Sequence, residues 1–381
     1  MKPRHRSGTA SATVLVTVLA TALLLTPAAG AAPAAGGATH TLEDLPKPPN
    51  GTVEPILETA CTLDAEAVEE SRGCPGTGFC DPATAELCQL PGGLDHVAAG
   101  TGLRNTGWGT IQLRGTPPGA VPVAAWLYWA AIPSPPGDPT AGDATFDGVP
   151  LDGELVGVTL APCWPQAGLL AAYRAPVLEL LNEDLVGDYP VRVRLSSVAD
   201  GRDPWGAAPA RPPFAEGASL VVVYAHDSVP RASRFYLHHG AHLLLDELTF
   251  HHPLDPPLPA AAELRHTRIG ADGQRRAGDD PTAPFATEIA FDPAGYPAAW
   301  LAIRGPGSPI DPGSDWLGVD GGPINQLWDT QVTGFPATAL PSSTVAGVTS
   351  YQLRYRALPP ADGRFGYDCV GVVAHALTAV P

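Results

Sequence analysis

Apolar and polar positions along this chain alternate with a period of two, the repeat of a β-strand with one face covered. In YPVRVRLSS (189–197), Val191, Val193 and Leu195 face one way and Arg192, Arg194 and Ser196 the other. YQLRYRAL (351–358) repeats the pattern, with Tyr351, Leu353 and Tyr355 opposite Gln352, Arg354 and Arg356. VPVAAWLYWAAI (121–132) and ASLVVVYA (218–225) are apolar on both parities, as expected of strands covered on both faces. Clusters such as SPPGDPTAGD (134–143) and GPGSPIDPGSD (305–315) punctuate the strands as turns. One short helix is expected, around VLELLNEDL (177–185). These elements predict an all-β protein, an antiparallel β-sandwich or jelly-roll-like domain over 96–381. It is read as one body or as two sub-sandwiches dividing near residue 250.

The composition agrees. Forty-four prolines and 42 glycines oppose long helices, and 44% hydrophobic residues suffice for a core. Lys2, Arg4 and Arg6 precede an apolar run, Ala12 to Leu25, and Ala29-Gly30-Ala31 fits a cleavage site, so 1–31 reads as a secretory signal peptide. The run is short of the roughly 20 residues of a spanning helix, and the expectation is a secreted, extracellular protein with no membrane insertion after cleavage. Residues 32–60 read as a Pro/Ala/Gly-rich linker. Without the three leader cations the chain keeps 19 basic against 39 acidic residues, a net charge of −20. Such a surface repels nucleic acid and anionic lipid.

The segment 61–95 carries Cys61, Cys74, Cys80 and Cys88. Structural zinc wants paired C-x-x-C ligands, whereas an even set of cysteines in an exported chain favours two disulfides. Arg234 to His252, RFYLHHGAHLLLDELTFHH, holds five of the eleven histidines. As a strand it puts Phe235, Leu237, His239, Ala241, Leu243 and Leu245 on one face and Arg234, Tyr236, His238 and His242 on the other. His238 and His242 are then about 13 Å apart at the strand rise, too far for one ion. His251 and His252 point to opposite faces. A strand rich in imidazole is expected, with no transition metal, although closure across a hairpin stays open.

No nucleophile elbow, P-loop, dinucleotide fingerprint or EF-hand occurs. The acidic turns GDATFDG (142–148), GADGQRRAGDD (270–280) and SDWLGVDGG (314–322) suit calcium chemically, with solvated turns the simpler reading. In WLGVDGGPINQLWD, Trp316 and Trp328 with Asp315, Asp320 and Asp329 form the candidate binding set. The rings would stack a sugar and the carboxylates would bond its hydroxyls; the competing reading packs both tryptophans in the core. No catalytic residue and no cofactor is assigned.

The runs GTGLRNTGWGTIQLRGTPPGAVPVAAWLYWA (100–130), GVTLAPCWPQ (157–166), AAYRAPVLEL (171–180), GASLVVVYAHDSVPRASRFYLHHGA (217–241), NQLWDT (325–330) and YDCVGVVAHAL (367–377) resemble a family of bacterial exported, cell-surface β-sandwich domains of unknown function. The resemblance covers about 95–381. It implies a sandwich fold, an extracellular location and a strand at Arg234–Ala241 ending near a glycine. The sequence carries no anchor or repeat module, which weakens the implied surface attachment. The expected function is a non-enzymatic extracellular domain, structural, adhesive or ligand-binding, with a glycan or matrix protein as partner. A secreted hydrolase of polysaccharide or peptide is the alternative. If the N-terminal four cysteines pair among themselves, Cys163 and Cys369 remain for each other, and the family's two cysteine motifs fall at these positions. The expected core holds no lysine, Lys2 and Lys47 being the chain's two, so no Lys–Asn/Asp isopeptide crosslink is expected.

Overall fold

A computed structural model describes residues 58–65, 68, 90–104, 106–133, 140–161, 168–195, 212–244, 247–258, 262–271, 285–291, 301–303, 328–336, 348–357 and 370–381. In chain order the strands are β1 (Glu58–Asp64), β2 (Gly93–Gly102), β3 (Trp108–Leu113), β4 (Val121–Ile132), β5 (Asp143–Phe146) and β6 (Val149–Asp152). Then come β7 (Glu154–Leu160), β8 (Leu169–Pro176), β9 (Gly187–Val193), β10 (Phe214–His226), β11 (Arg234–Leu244) and β12 (Glu247–Leu258). The last six are β13 (Glu263–Ala271), β14 (Phe285–Phe291), β15 (Leu301–Ile303), β16 (Trp328–Pro336), β17 (Val348–Ala357) and β18 (Val370–Val380).

They form four sheets, all paired antiparallel. Sheet 1 has the order β3-β9-β5-β6, sheet 2 β2-β10-β4-β8-β7, sheet 3 β1-β11-β18-β13-β16 and sheet 4 β12-β17-β14-β15. The protein is an all-β sandwich, as its alternation predicts, built as successive layers. Ile111, Phe146, Tyr189 and Val191 of sheet 1 share a core with Leu127, Trp129, Leu220 and Val222 of sheet 2. The opposite face of sheet 2, with Trp126, Tyr128, Val221 and Val223, shares a second core with Phe235, Leu237, Ile269 and Trp328 of sheet 3. β4 and β10 are thus covered on both sides, which is why they carry apolar residues on both parities.

Sheet 3 draws β1 and β11 from before residue 250 and β13, β16 and β18 from after it. The boundary drawn at residue 96 falls inside β2. Glu58–Asp64, read as linker and cysteine-rich segment, is an edge strand whose Cys61 backbone lies opposite Leu237. The expected helix is reduced to a 3₁₀ turn at Leu178–Leu180, and Leu181 is already extended at φ −82° and ψ 150°. Val177 is buried in the first core and the chain must then turn into β9, leaving no length for a regular helix. The Asn182 N–H donates to Tyr189 Oη at 3.2 Å and closes that turn. The segment read as a signal peptide (1–31), most of the segment read as a linker, and Cys74, Cys80, Cys88, Cys163 and Cys369 lie outside the described residues. No helix among those residues is long and apolar enough to cross a membrane.

Candidate functional site

Sheets 3 and 4 meet through a different kind of layer. Across sheet 3 the register aligns His238, His375, Arg268 and Gln331 on β11, β18, β13 and β16. Directly paired residues share a face, so this row presents one side. His266 lies two residues before Arg268 on the same side. Sheet 4 answers with Phe250, His252, Tyr351 and Leu353, all buried. His238 and His252 have ring centroids 4.1 Å apart, and His252 stacks on Tyr351 at 4.7 Å. His375 lies 5.4 Å from His252 and 5.6 Å from His266.

The histidine stretch therefore meets itself, at His238 and His252, across facing sheets rather than within a hairpin ladder. His238 and His242 share a face as expected. His242 packs edge-on against Phe250 at 5.3 Å instead of joining His238. His266 and His375 went ungrouped in the sequence. The available signal for His375 was a lone polar residue in an apolar strand, AHAL (374–377), whereas His266 sits among polar neighbours in LRHTRI (264–269) and carried none.

His238, His266 and His375 are fully buried. His375 Nδ1 and His252 Nε2 are 3.3 Å apart. Both ring nitrogens of His238 and of His266 lack a hydrogen-bond partner among the described residues. Burial disfavours the imidazolium and pushes His238 down to about 3. Burial first, then the Arg268 guanidinium, pushes His266 well below its ordinary value. Burial, then His266, does the same to His375. Among the described residues no group of three or more His, Cys, Asp or Glu side chains is arranged to hold a metal ion.

Two other polar clusters sit deeper. A bulge in β10 between Ala215 and Gly217 turns Glu216 inward, where Arg104 Nη2 donates to its Oε2 at 2.5 Å, with both side chains fully buried. His96 bridges sheets 2 and 3, its Nδ1 at 2.6 Å from Thr378 Oγ1 and its Nε2 at 2.8 Å from Thr267 Oγ1. Burial, reinforced by Arg265, pushes His96 down to about 3.

The candidate sugar platform is not assembled as the sequence proposed. Trp328 is fully buried in the second core, and its indole N–H donates to Ser219 Oγ at 2.8 Å. Asp329 follows it and is fully buried on the sheet 4 side. A ring must show a free face to stack a ligand, so Trp328 does not serve, and the Asp329 carboxylate, 0% exposed, cannot reach a sugar hydroxyl in solvent. Asp315, Trp316 and Asp320 lie outside the described residues. Of the acidic turns, 142–148 forms the β5–β6 hairpin. Asp147 and Gly148 have φ of 48° and 79°, the geometry of a two-residue primed turn. The other two turns lie almost wholly outside the described residues.

An exposed aromatic stands elsewhere. Trp108 opens β3 on the outer face of sheet 1 and is 62% exposed. It lies opposite Arg192, and the next outward pairs are Thr110 with Pro190 and Gln112 with Asp188. All five neighbours are exposed. Arg114 Nη2 donates to Asp188 Oδ1 at 2.5 Å at the end of this row. Alternation does not single out Trp108, because WGTIQL reads as one more alternating strand, with its large ring at the outward parity.

No protein-family model matches the chain, and no curated protein matches it. Among solved structures it is similar to the infectious bursal disease virus VP2 subviral particle, at 12% identity, a TM-score of 0.25, and 75% of this chain against 72% of that one. It is also similar to BpGH86A, a β-porphyranase of glycoside hydrolase family 86 from the human gut bacterium Bacteroides plebeius, at 10% identity and a TM-score of 0.21. That match covers 71% of this chain and 38% of the other. Likenesses this distant carry no weight for function.

Proposed function

We propose that the chain is an exported, non-catalytic extracellular domain that binds a neutral glycan on the outer face of sheet 1. The observation that carries this reading is Trp108, exposed beside a row of hydrogen-bonding side chains on the outer face of a sheet. An indole face packs against the apolar C–H surface of a sugar ring. Arg192, Thr110, Gln112 and Asp188 offer donors and acceptors at the spacing of alternate strand positions, about 7 Å. The whole chain's net charge of −17 disfavours anionic ligands, which leaves neutral polysaccharide over sulfated or uronic chains. The leader-like N-terminus supports export, and the sandwich serves as a rigid platform for the exposed face.

The test is a glycan and matrix-protein array probed with the secreted protein, with and without calcium, alongside Trp108→Ala. Neutral glycans should be retained, with binding at least tenfold weaker in Trp108→Ala and the melting temperature unchanged. Glycan binding that survives the substitution undiminished would refute the site, and binding of matrix proteins alone would refute the ligand class.

A further inference from the structure

Two of the three interfaces between layers are apolar cores, and the third is filled by imidazoles. We infer that the layer between sheets 3 and 4 is an acid-operated contact: uncharged rings pack sheet 4 onto sheet 3, and their protonation loosens it while sheets 1 to 3 stay assembled. The inference is independent of the glycan reading, since Trp108 lies on the far face of sheet 1.

The charge inventory of the layer carries the argument. Four strands contribute the rings: β11 gives His238 and His242, β18 His375, β13 His266 and β12 His252. Among the described side chains, the charged groups beside them are Arg268 of β13 and Asp329 of β16, both fully buried and opposite in sign. Further along, Arg234 and Asp64 face each other in register and are likewise opposite. From sheet 4, the titratable described side chains are His252 and Tyr351, and a phenol stays neutral in acid. For His238 and His266 the described groups that act on their charge are other rings and Arg268. An imidazolium formed on either appears beside those groups, with ring centroids 4.1 to 5.6 Å apart, where like charges repel strongly. Water would solvate that charge once the sheets part. His238 and His266, with no partner among the described residues holding their ring nitrogens, gain most from release.

The sign follows from proton linkage. These rings are held below their free value, so the open state binds more protons and opening is favoured as pH falls below about 6.5. For His238, held at about 3, the opening constant should rise roughly 30-fold between pH 7.5 and pH 5. His266 and His375 act in the same direction. The interface of sheets 2 and 3 also carries rings that burial holds low, His96 and His239, but these have hydrogen-bond partners in Thr378, Thr267 and Tyr128 and are set beside an apolar core.

Hydrogen exchange of the full secreted chain at pH 7.5 and pH 5.0, corrected for intrinsic rates, reads this directly. Amides of β12 and β17 should exchange at least roughly 30-fold faster at pH 5.0, with β4 and β10 unchanged. His238→Asn should reduce that acceleration within the variant itself, and His266→Asn serves if the first does not fold. Unchanged protection of β12 and β17 at pH 5.0 would overturn the inference, as would simultaneous loss across all four sheets. So would suppression of the effect by zinc chloride, which would assign the rings to a metal.

Discussion

Replacing Arg104 with methionine removes the cation from a fully buried pair and leaves the Glu216 carboxylate behind. Arg104 Nη2 lies 2.5 Å from Glu216 Oε2, and the guanidinium also sits 4.7 Å over the Phe214 ring. Two unit charges about 4 Å apart attract by about 4 kcal/mol at an effective dielectric constant near 20. Breaking a buried pair by removing one partner costs about 3–5 kcal/mol, so the two routes agree. On a domain of this size that is a fall in melting temperature of roughly 4–7 °C. The loss should depend on pH. Burial raises the Glu216 carboxyl and Arg104 opposes that rise; without Arg104 the rise is unopposed. The folded variant then takes up a proton before the unfolded chain does, so its deficit against wild type shrinks as pH falls from 7.5 to 5.5. Glu216→Gln leaves a guanidinium that cannot deprotonate, and its deficit should persist across the same range. Arg104→Met with Glu216→Leu should recover most of the stability, because an apolar pair carries no desolvation penalty. Urea unfolding at each pH, with m-values constant, provides the measurement. A deficit below about 1 kcal/mol for Arg104→Met, or equal pH behaviour in the two single variants, would refute the reasoning.

Other expectations are as direct. Gly217→Ala places a Cβ 2.2 Å from Trp328 Cγ in the second core, and should cost about 1–3 kcal/mol or more by overpacking, read as a lower urea midpoint at constant m. Cys163→Ser should lower the melting temperature and expose one reactive thiol at Cys369, since closing a loop of about 200 residues contributes up to about 5 kcal/mol. Peptide mapping that pairs either residue with Cys61, Cys74, Cys80 or Cys88 would reject that bridge.

The pattern of side chains along the chain determined the strands. β9 buries Tyr189, Val191 and Val193 and exposes the residues between them, as period two requires. The doubly apolar β4 and β10 announced a layer on each side, because a strand with no polar parity has no face to give to water. Periodicity speaks only of neighbours two residues apart, however, and the functional groupings here join residues far apart in the chain. His238, His252, His266 and His375 share one layer because four strands from two sheets present the same side, a fact of register and stacking. Trp108 and Trp328 occupy equally strand-like contexts, and only the position of their sheets leaves one in solvent and the other in the core. Glu216 would read as a surface residue by its charge, yet a single bulge aims it at Arg104. Alternation fixes which residues share a face; tertiary packing decides what that face meets, because burial depends on the partner layer and not on the strand.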